Sequence, residues 1–141
     1  MKFSSRKDIL FTSIIITLCL FLVAILGFII FNSEFSATQL FSLLIITLVV
    51  LFILWIFFDT QYELTKTHLK YKSGPIKGDI EIDRIRKIIK GKTLWVGLKP
   101  ATAKSGLIIK YNKYDEIYIS PKTNDTFISK ILEYNSEIEI E

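Results

Sequence analysis

Three carboxylates are the side chains of this 141-residue chain best spaced to do chemistry together: Asp79, Glu81 and Asp83. They stand at alternate positions, so on a β-strand they would share one face. A row of carboxylate oxygens could bind a divalent cation, because such ions prefer oxygen ligands. However, Lys70 and Lys72 alternate in the same way just before a Gly-Pro turn, and cross-strand ion pairs would explain both sets. We therefore favour ion pairs over a metal site.

Other catalytic residue types are scarce. The only histidine, His68, lies in a predicted turn, and the only cysteine, Cys19, lies in a long apolar run. One cysteine can form neither an intramolecular disulfide nor a cysteine metal cluster, and a Ser-His-Asp triad could use only His68. The chain also lacks a Walker phosphate loop, an HExxH zinc motif and a GxSxG nucleophile elbow. The sequence therefore predicts a protein that is not an enzyme and that uses no cofactor or metal.

Two uncharged apolar runs, Ile9–Phe31 and Leu40–Phe58, dominate the N-terminal part of the chain. At about 1.5 Å per residue, each run matches a hydrocarbon core about 30 Å thick. The first run is too long for a signal-peptide core of about 7–15 residues, and it lacks a small-residue cleavage site, so we expect it to be retained. Because the connection between the runs is short, the two helices should be antiparallel neighbours.

Cations lie on one side of this predicted hairpin. Lys2, Arg6 and Lys7 precede the first run, and four lysines follow the second run closely: Lys66, Lys70, Lys72 and Lys77. By the positive-inside rule, both termini face the cytoplasm. The predicted segments are a cytoplasmic tail (1–8), transmembrane helices (9–31 and 40–58), an external loop (32–39) and a cytoplasmic domain (59–141).

From Tyr62 onward the apolar pattern has a period of two, which favours half-buried β-strands. Near the end, Ser120-Pro121 has the pattern of a helix N-cap followed by a first-turn proline. An apolar face at helical spacing follows, with Phe127, Ile128, Ile131 and Leu132. The predicted fold is a membrane α-helical hairpin followed by an α+β, mainly-β domain. That domain has about seven antiparallel strands, including less regular ones at Arg84–Lys90 and Thr93–Leu98, in a curled sandwich capped by one C-terminal helix.

The order of the motifs is distinctive as a whole. The blocks are Tyr62-x-Leu64, Leu69-x-Tyr71-x-x-Gly74-Pro75-Ile76, Ile80-x-Ile82-x-x-Ile85, Lys99-Pro100-Ala101, Gly106-Leu107-x-Ile109-x-Tyr111, and Asp115-Glu116-Ile117-Tyr118-Ile119-Ser120-Pro121-Lys122 with Phe127-Ile128. Over residues 60–135 this order resembles the bacterial pleckstrin-homology (PH-like) domain family, in its short membrane-anchored branch with two N-terminal transmembrane helices. The resemblance implies a seven-stranded, barrel-like sandwich capped by a helix, without assigned chemistry. Phosphoinositide recognition is not carried over, because Lys66, Lys70 and Lys72 match the eukaryotic basic fingerprint only loosely.

Charge is distributed unevenly along the predicted domain. From Lys66 to Lys113, 13 cations and 3 carboxylates give +10, whereas from Tyr114 to Glu141, 2 cations and 7 carboxylates give −5. Only residues 59–61 separate the second run from the first strand, so the domain is held against the inner leaflet. Anionic lipids there attract each Lys or Arg by about 1 kcal/mol. The predicted headgroup contacts are Lys87, Lys90, Lys92, Lys99, Lys104 and Trp95, with the acidic helix and tail turned toward the cytosol.

Two alternatives without lipid contact stay open: Trp95 could be a core aromatic, and the basic stretch could be a solvated face. The sequence predicts a multi-pass protein of the bacterial inner membrane that acts as a non-catalytic binding or scaffolding module. Its predicted partners are membrane lipids, a protein partner or further copies of the chain. Nucleic acid is excluded as a partner, because the membrane already accounts for a basic domain at its surface. The alternative function is a subunit of a membrane enzyme or transporter complex.

Overall fold

A computed structural model describes residues 1–32 and 36–141. Two long helices, α1 (Ile9–Asn32) and α2 (Ala37–Phe58), contain both predicted apolar runs. Gln39, near the start of α2, donates from Nε2 to the carbonyl of Ile29, near the end of α1, at 2.8 Å. The two helices are therefore antiparallel neighbours, as predicted. The centre of the predicted external loop, residues 33–35, lies outside the described residues.

The surfaces of both helices suit a lipid environment. Each helix is long and apolar enough to cross a membrane. All residues of α1 are exposed or half-buried, and large side chains such as Phe31 lie open on its surface. A soluble protein would bury a helix that is apolar on every side. The two helices are therefore candidate transmembrane helices.

The first sheet has the strand order β1-β2-β3-β4, with antiparallel neighbours throughout. Its strands are β1 (Lys2–Ser4), β2 (Gln61–Leu64), β3 (His68–Ser73) and β4 (Ile76–Glu81). Residues 1–8, predicted as a separate tail, instead supply β1, in which Phe3 pairs with Tyr62. A three-residue strand is too short to produce a period-two signal, which is why the sequence did not reveal it. The domain is thus built from both sides of the helical hairpin.

The second sheet has the order β7-β6-β5-β8. Its strands are β5 (Ile85–Lys90), β6 (Leu107–Tyr111), β7 (Asp115–Ile119) and β8 (Glu139–Ile140). The irregular stretch at Arg84–Lys90 is a strand, whereas Thr93–Leu98 is a loop whose last residue forms an isolated bridge to Ile117. The last strand, β8, pairs with β5 in parallel. The predicted fold class, a helical hairpin followed by a mainly-β domain with a C-terminal helix, is confirmed. Within the described residues, the strands form two sheets that do not close into a barrel.

The third helix, α3 (Asn124–Leu132), buries Phe127, Ile128 and Ile131 in a core that also receives side chains from both sheets. The predicted start of this helix is wrong, because it begins after Thr123 rather than at Ser120. Ser120 is fully buried, and its hydroxyl bonds within the core instead of capping the helix. The apolar face of α3 was therefore predicted correctly, while the position of its first turn was not.

Short contacts fix the domain to the end of α2. Thr60 Oγ1 donates to the carbonyl of Ile56 at 2.7 Å, and Lys72 Nζ lies 3.0 Å from the Asp59 carboxylate. The turn between β3 and β4 packs on the same helix end. There Gly74 has φ +56°, and a Cβ at this position would lie 2.7 Å from Ile56 Cγ1. Glycine is required both for the turn and for this close approach.

Candidate membrane interface

Two of the three acidic residues singled out in the sequence lie beside basic side chains. Glu81 is 2.7 Å from Arg84 Nε, and Asp79 Oδ2 is 3.6 Å from His68 Nε2. The third carboxylate, Asp83, lies beyond β4 in a short 3₁₀ turn. Across residues 1–32 and 36–141, no three His, Cys, Asp or Glu side chains are grouped so that they could hold a metal ion. The expected pairing with lysines of β3 is replaced by pairing with His68 and Arg84.

A buried polar cluster holds the long connection between β5 and β6, which we term the 91–106 loop. The Tyr62 hydroxyl donates to the Pro100 carbonyl at 2.5 Å and accepts from the Ser120 N–H at 3.0 Å. Ser5 Oγ lies 2.8 Å from Thr102 Oγ1 and 2.9 Å from Ser120 Oγ. Burial raises the pKa of the Tyr62 hydroxyl, so it stays protonated and can donate. The cluster therefore ties this loop to β2, β7 and the N-terminal segment.

A second set of contacts ties the same loop to the start of α1. Asp8 Oδ1 accepts from the Phe11 N–H at 2.8 Å and so caps α1, while Asp8 Oδ2 accepts from the Lys104 N–H at 2.7 Å. Arg6 Nη2 donates to the carbonyls of Lys104 and Ser105 at 2.5 and 3.0 Å. The sequence contained one signal for this clamp, an Asp directly before an apolar helix, which is a common N-cap pattern. The loop is therefore fixed beside the first turn of a candidate span.

The tip of the 91–106 loop exposes apolar side chains beside cations. Trp95 and Val96 are 77% and 81% exposed, so Trp95 is not a core aromatic. The Lys99 ammonium donates to the Trp95 carbonyl, which shapes the tip. Neither Lys99 nor Lys104 takes part in an ion pair within the described residues. The structure thus brings together Trp95 and two lysines from the predicted set.

The other three predicted lysines lie against carboxylates: Lys87 and Lys90 on β5, and Lys92 at the start of the 91–106 loop. Lys87 Nζ is 2.9 Å from Glu139 and 2.8 Å from Glu141, and Lys92 Nζ is 3.2 Å from Glu141. Lys90 pairs with Asp125 in the first turn of α3. These contacts raise the pKa of Lys87, mainly through Glu141, and lower the pKa of Glu141, mainly through Lys87. Three of the lysines predicted to meet headgroups therefore face Glu139, Glu141 and Asp125 instead, while the orientation of the acidic helix and tail toward the cytosol stays a prediction.

The tail reaches these lysines because β8 lies along β5. The Glu141 N–H donates to the Ile88 carbonyl at 2.9 Å, and the Lys90 N–H donates to the Glu141 carbonyl at 2.8 Å. Just before β8, Ile138 is buried in the core, which fixes the start of the tail. The acidic end of the chain is therefore part of the second sheet and neutralises its basic edge.

Comparison with known proteins places the chain in a family. Residues 60–135 match the family described as "Bacterial PH domain". The chain is also 34% identical over 141 residues to "Uncharacterized protein YyaB" of Bacillus subtilis (strain 168), with 98% of this chain and 95% of that protein covered. The similarity therefore extends over the two helices as well as the sheet domain. No solved structure matched the chain.

Proposed function

The chain belongs to the bacterial PH domain family, and we propose that it is a membrane-anchored, non-catalytic binding module whose 91–106 loop contacts anionic lipid headgroups. One observation carries the proposal: Trp95 and Val96 lie exposed on a loop that Asp8 clamps to the first turn of α1. Tryptophan favours the boundary between headgroups and hydrocarbon, because its ring is apolar and its N–H is polar.

The cations of the loop give this contact a preference for negative charge. Lys99 and Lys104 are exposed and lie outside the ion pairs of the described residues, so an anionic headgroup could approach both. Lys87, Lys90 and Lys92 already face carboxylates, so they would add less to lipid binding. The proposal therefore keeps Lys99, Lys104 and Trp95 as headgroup contacts and assigns the other three lysines to ion pairs with Glu139, Glu141 and Asp125.

The proposed orientation has both termini in the cytoplasm of a bacterial cell. Pairing of β1 with β2 requires the N-terminus and the domain to lie at the same end of the hairpin. The flanking cations then favour the cytoplasmic side. A Cys19→Ser, Lys113→Cys variant tests this, since Lys113 is exposed on the turn after β6. A membrane-impermeant maleimide should label it only after cell disruption, and labelling of intact cells would contradict the orientation.

Fluorescence quenching tests the contact between the loop and the bilayer. The Trp55→Phe variant leaves Trp95 as the single tryptophan of the full chain. In nanodiscs, phospholipids brominated on the upper acyl chain should quench Trp95 strongly. A soluble quencher such as iodide should have little effect. Strong iodide quenching without bromine quenching would place Trp95 in water and reject the proposal.

The same reporter tests the charge preference. Brominated phosphatidylglycerol should quench Trp95 more than brominated phosphatidylcholine at equal mole fraction, because anionic lipid should be enriched around the loop. The Lys99→Gln, Lys104→Gln double variant should abolish this difference. A Lys66→Gln, Lys113→Gln double variant removes equal charge outside the loop and serves as the control. Equal quenching by the two lipids in the unsubstituted loop would contradict headgroup selection.

A further inference from the structure

A groove lies between the 91–106 loop and α1. One wall consists of Leu10, Phe11 and Ile14 from the first turns of α1, and the other includes Leu94 and Ala101 from the loop. The wall on α1 continues directly into the surface of a candidate transmembrane helix. The groove is therefore open to whatever surrounds that helix.

The lining of the groove is mostly apolar although it includes a tyrosine. The Tyr118 hydroxyl donates to the Ala103 carbonyl at 2.7 Å and accepts from the Gly106 N–H at 2.9 Å. Because these bonds satisfy the hydroxyl inside the domain, Tyr118 contributes its apolar ring to the groove. Apolar cavities of this kind favour hydrocarbon over water.

The groove has a volume of about 250 Å³. An apolar cavity of about 150 Å³ holds benzene, so this groove has room for a segment of an acyl chain but not for a whole lipid. Lys99 and Lys104, the two loop cations that lie outside the ion pairs of the described residues, also line the groove. An ammonium forms strong, charge-assisted hydrogen bonds with a phosphate oxygen. The groove thus combines apolar walls with two cations, and a phospholipid combines an apolar chain with a phosphate.

We propose that the groove is a binding site for one anionic glycerophospholipid, with an acyl chain between α1 and the loop and the phosphate at Lys99 and Lys104. The inference rests on the proposed function, because the loop must lie at the membrane. It goes further in placing one lipid at a defined site instead of a general enrichment. A free phosphate would use the same lysines but would leave the apolar walls uncovered.

Native mass spectrometry of the full chain, purified in detergent and supplied with phosphatidylglycerol, tests the site. The Ala101→Phe variant should fill the groove and lower the retained fraction of one bound lipid at least tenfold. The control is Ala24→Phe, the same change on the exposed surface of α1, which should retain the lipid. Equal retention by the two variants, or no retained lipid in the unsubstituted protein, would overturn the proposal.

Two further arms keep the result unambiguous. Ile14→Trp narrows the groove from the wall on α1, outside the folded core, and should act like Ala101→Phe even if the latter perturbs the loop. Inorganic phosphate at millimolar concentration should not displace the lipid; displacement would show that the headgroup alone is bound and would refute the acyl-chain site. Quenching of Trp95 by bilayer lipid without a retained lipid would reject the groove site and leave the proposed function standing. Absence of that quenching would reject both.

Discussion

Replacing Phe3 with alanine should destabilise a domain whose other strands begin almost 60 residues later. Phe3 is 8% exposed, and its ring contacts that of Phe127 on α3 in an edge-to-face arrangement with centroids 5.1 Å apart. A buried Phe→Ala change costs about 3–5 kcal/mol, from lost burial and the remaining cavity. Domains of this size are stable by about 5–15 kcal/mol, so Phe3→Ala should remove a large part of the total.

The assay is thermal unfolding of the full chain in detergent, followed by near-ultraviolet circular dichroism of the buried tyrosines Tyr62 and Tyr118. Phe3→Leu keeps most of the volume and should recover much of the loss. The control is Tyr114→Ala, because Tyr114 is 85% exposed and its loss should change stability by no more than about 0.5 kcal/mol. If Phe3→Ala lowers the melting temperature no more than this control, β1 is not part of the folded domain.

Three further predictions concern the core, the buried hydroxyl and the division of the lysines. Gly106→Ala would place a Cβ 2.2 Å from a β7 carbonyl, so it should lower the free energy of unfolding by about 1–3 kcal/mol. The control is Gly27→Ala, which has open space around it and should change stability little. Equal melting temperatures for the two variants would contradict the close packing at Gly106. Because burial raises the pKa of Tyr62 above 10.0, the contribution of Tyr62 to stability should be fully present below pH 10.0 and be lost as pH rises through the folded-state pKa. Denaturant titration across that range should show a shallower loss for Tyr62→Phe, and an unchanged slope would argue against the assignment. Lys87→Gln should leave the preference of Trp95 quenching for brominated phosphatidylglycerol intact, whereas Lys99→Gln should reduce it. A larger loss in Lys87→Gln than in Lys99→Gln would show that the pairing of Lys87 with the tail does not limit lipid contact.

The parts of the fold visible in the sequence are those with a repeated pattern. Both candidate spans are long uncharged runs, and β2 and β3 alternate apolar and polar residues over most of their length. The strands β1 and β8 have three and two residues and depend on distant partners, so no local period could reveal them. Ser120 misled the prediction for a related reason: its hydroxyl could cap a helix, but burial beside Thr102 gave it other partners.

The candidate interface was only partly predictable, because sequence reports the number of charges and not their neighbours. The excess of lysines in one half of the chain was evident, and so was the acidic end. Parallel pairing of β8 with β5 then brings Glu139 and Glu141 against Lys87, which removes that lysine from the free cations. Lys99 and Lys104 remain exposed on the 91–106 loop, beside α1.

The clamp between α1 and the 91–106 loop gives the hairpin a role beyond anchoring. A domain linked to its spans by a flexible chain would sample many orientations at the membrane. Here Asp8 caps α1 with one carboxylate oxygen and holds the Lys104 N–H with the other, while Thr60 and Asp59 hold the domain to the end of α2. Attachment at both helices fixes rotation as well as position, so under the proposed function the same face of the domain would always meet the lipid. Any change in the tilt of α1 would therefore move Trp95, Lys99 and Lys104 together with the helix.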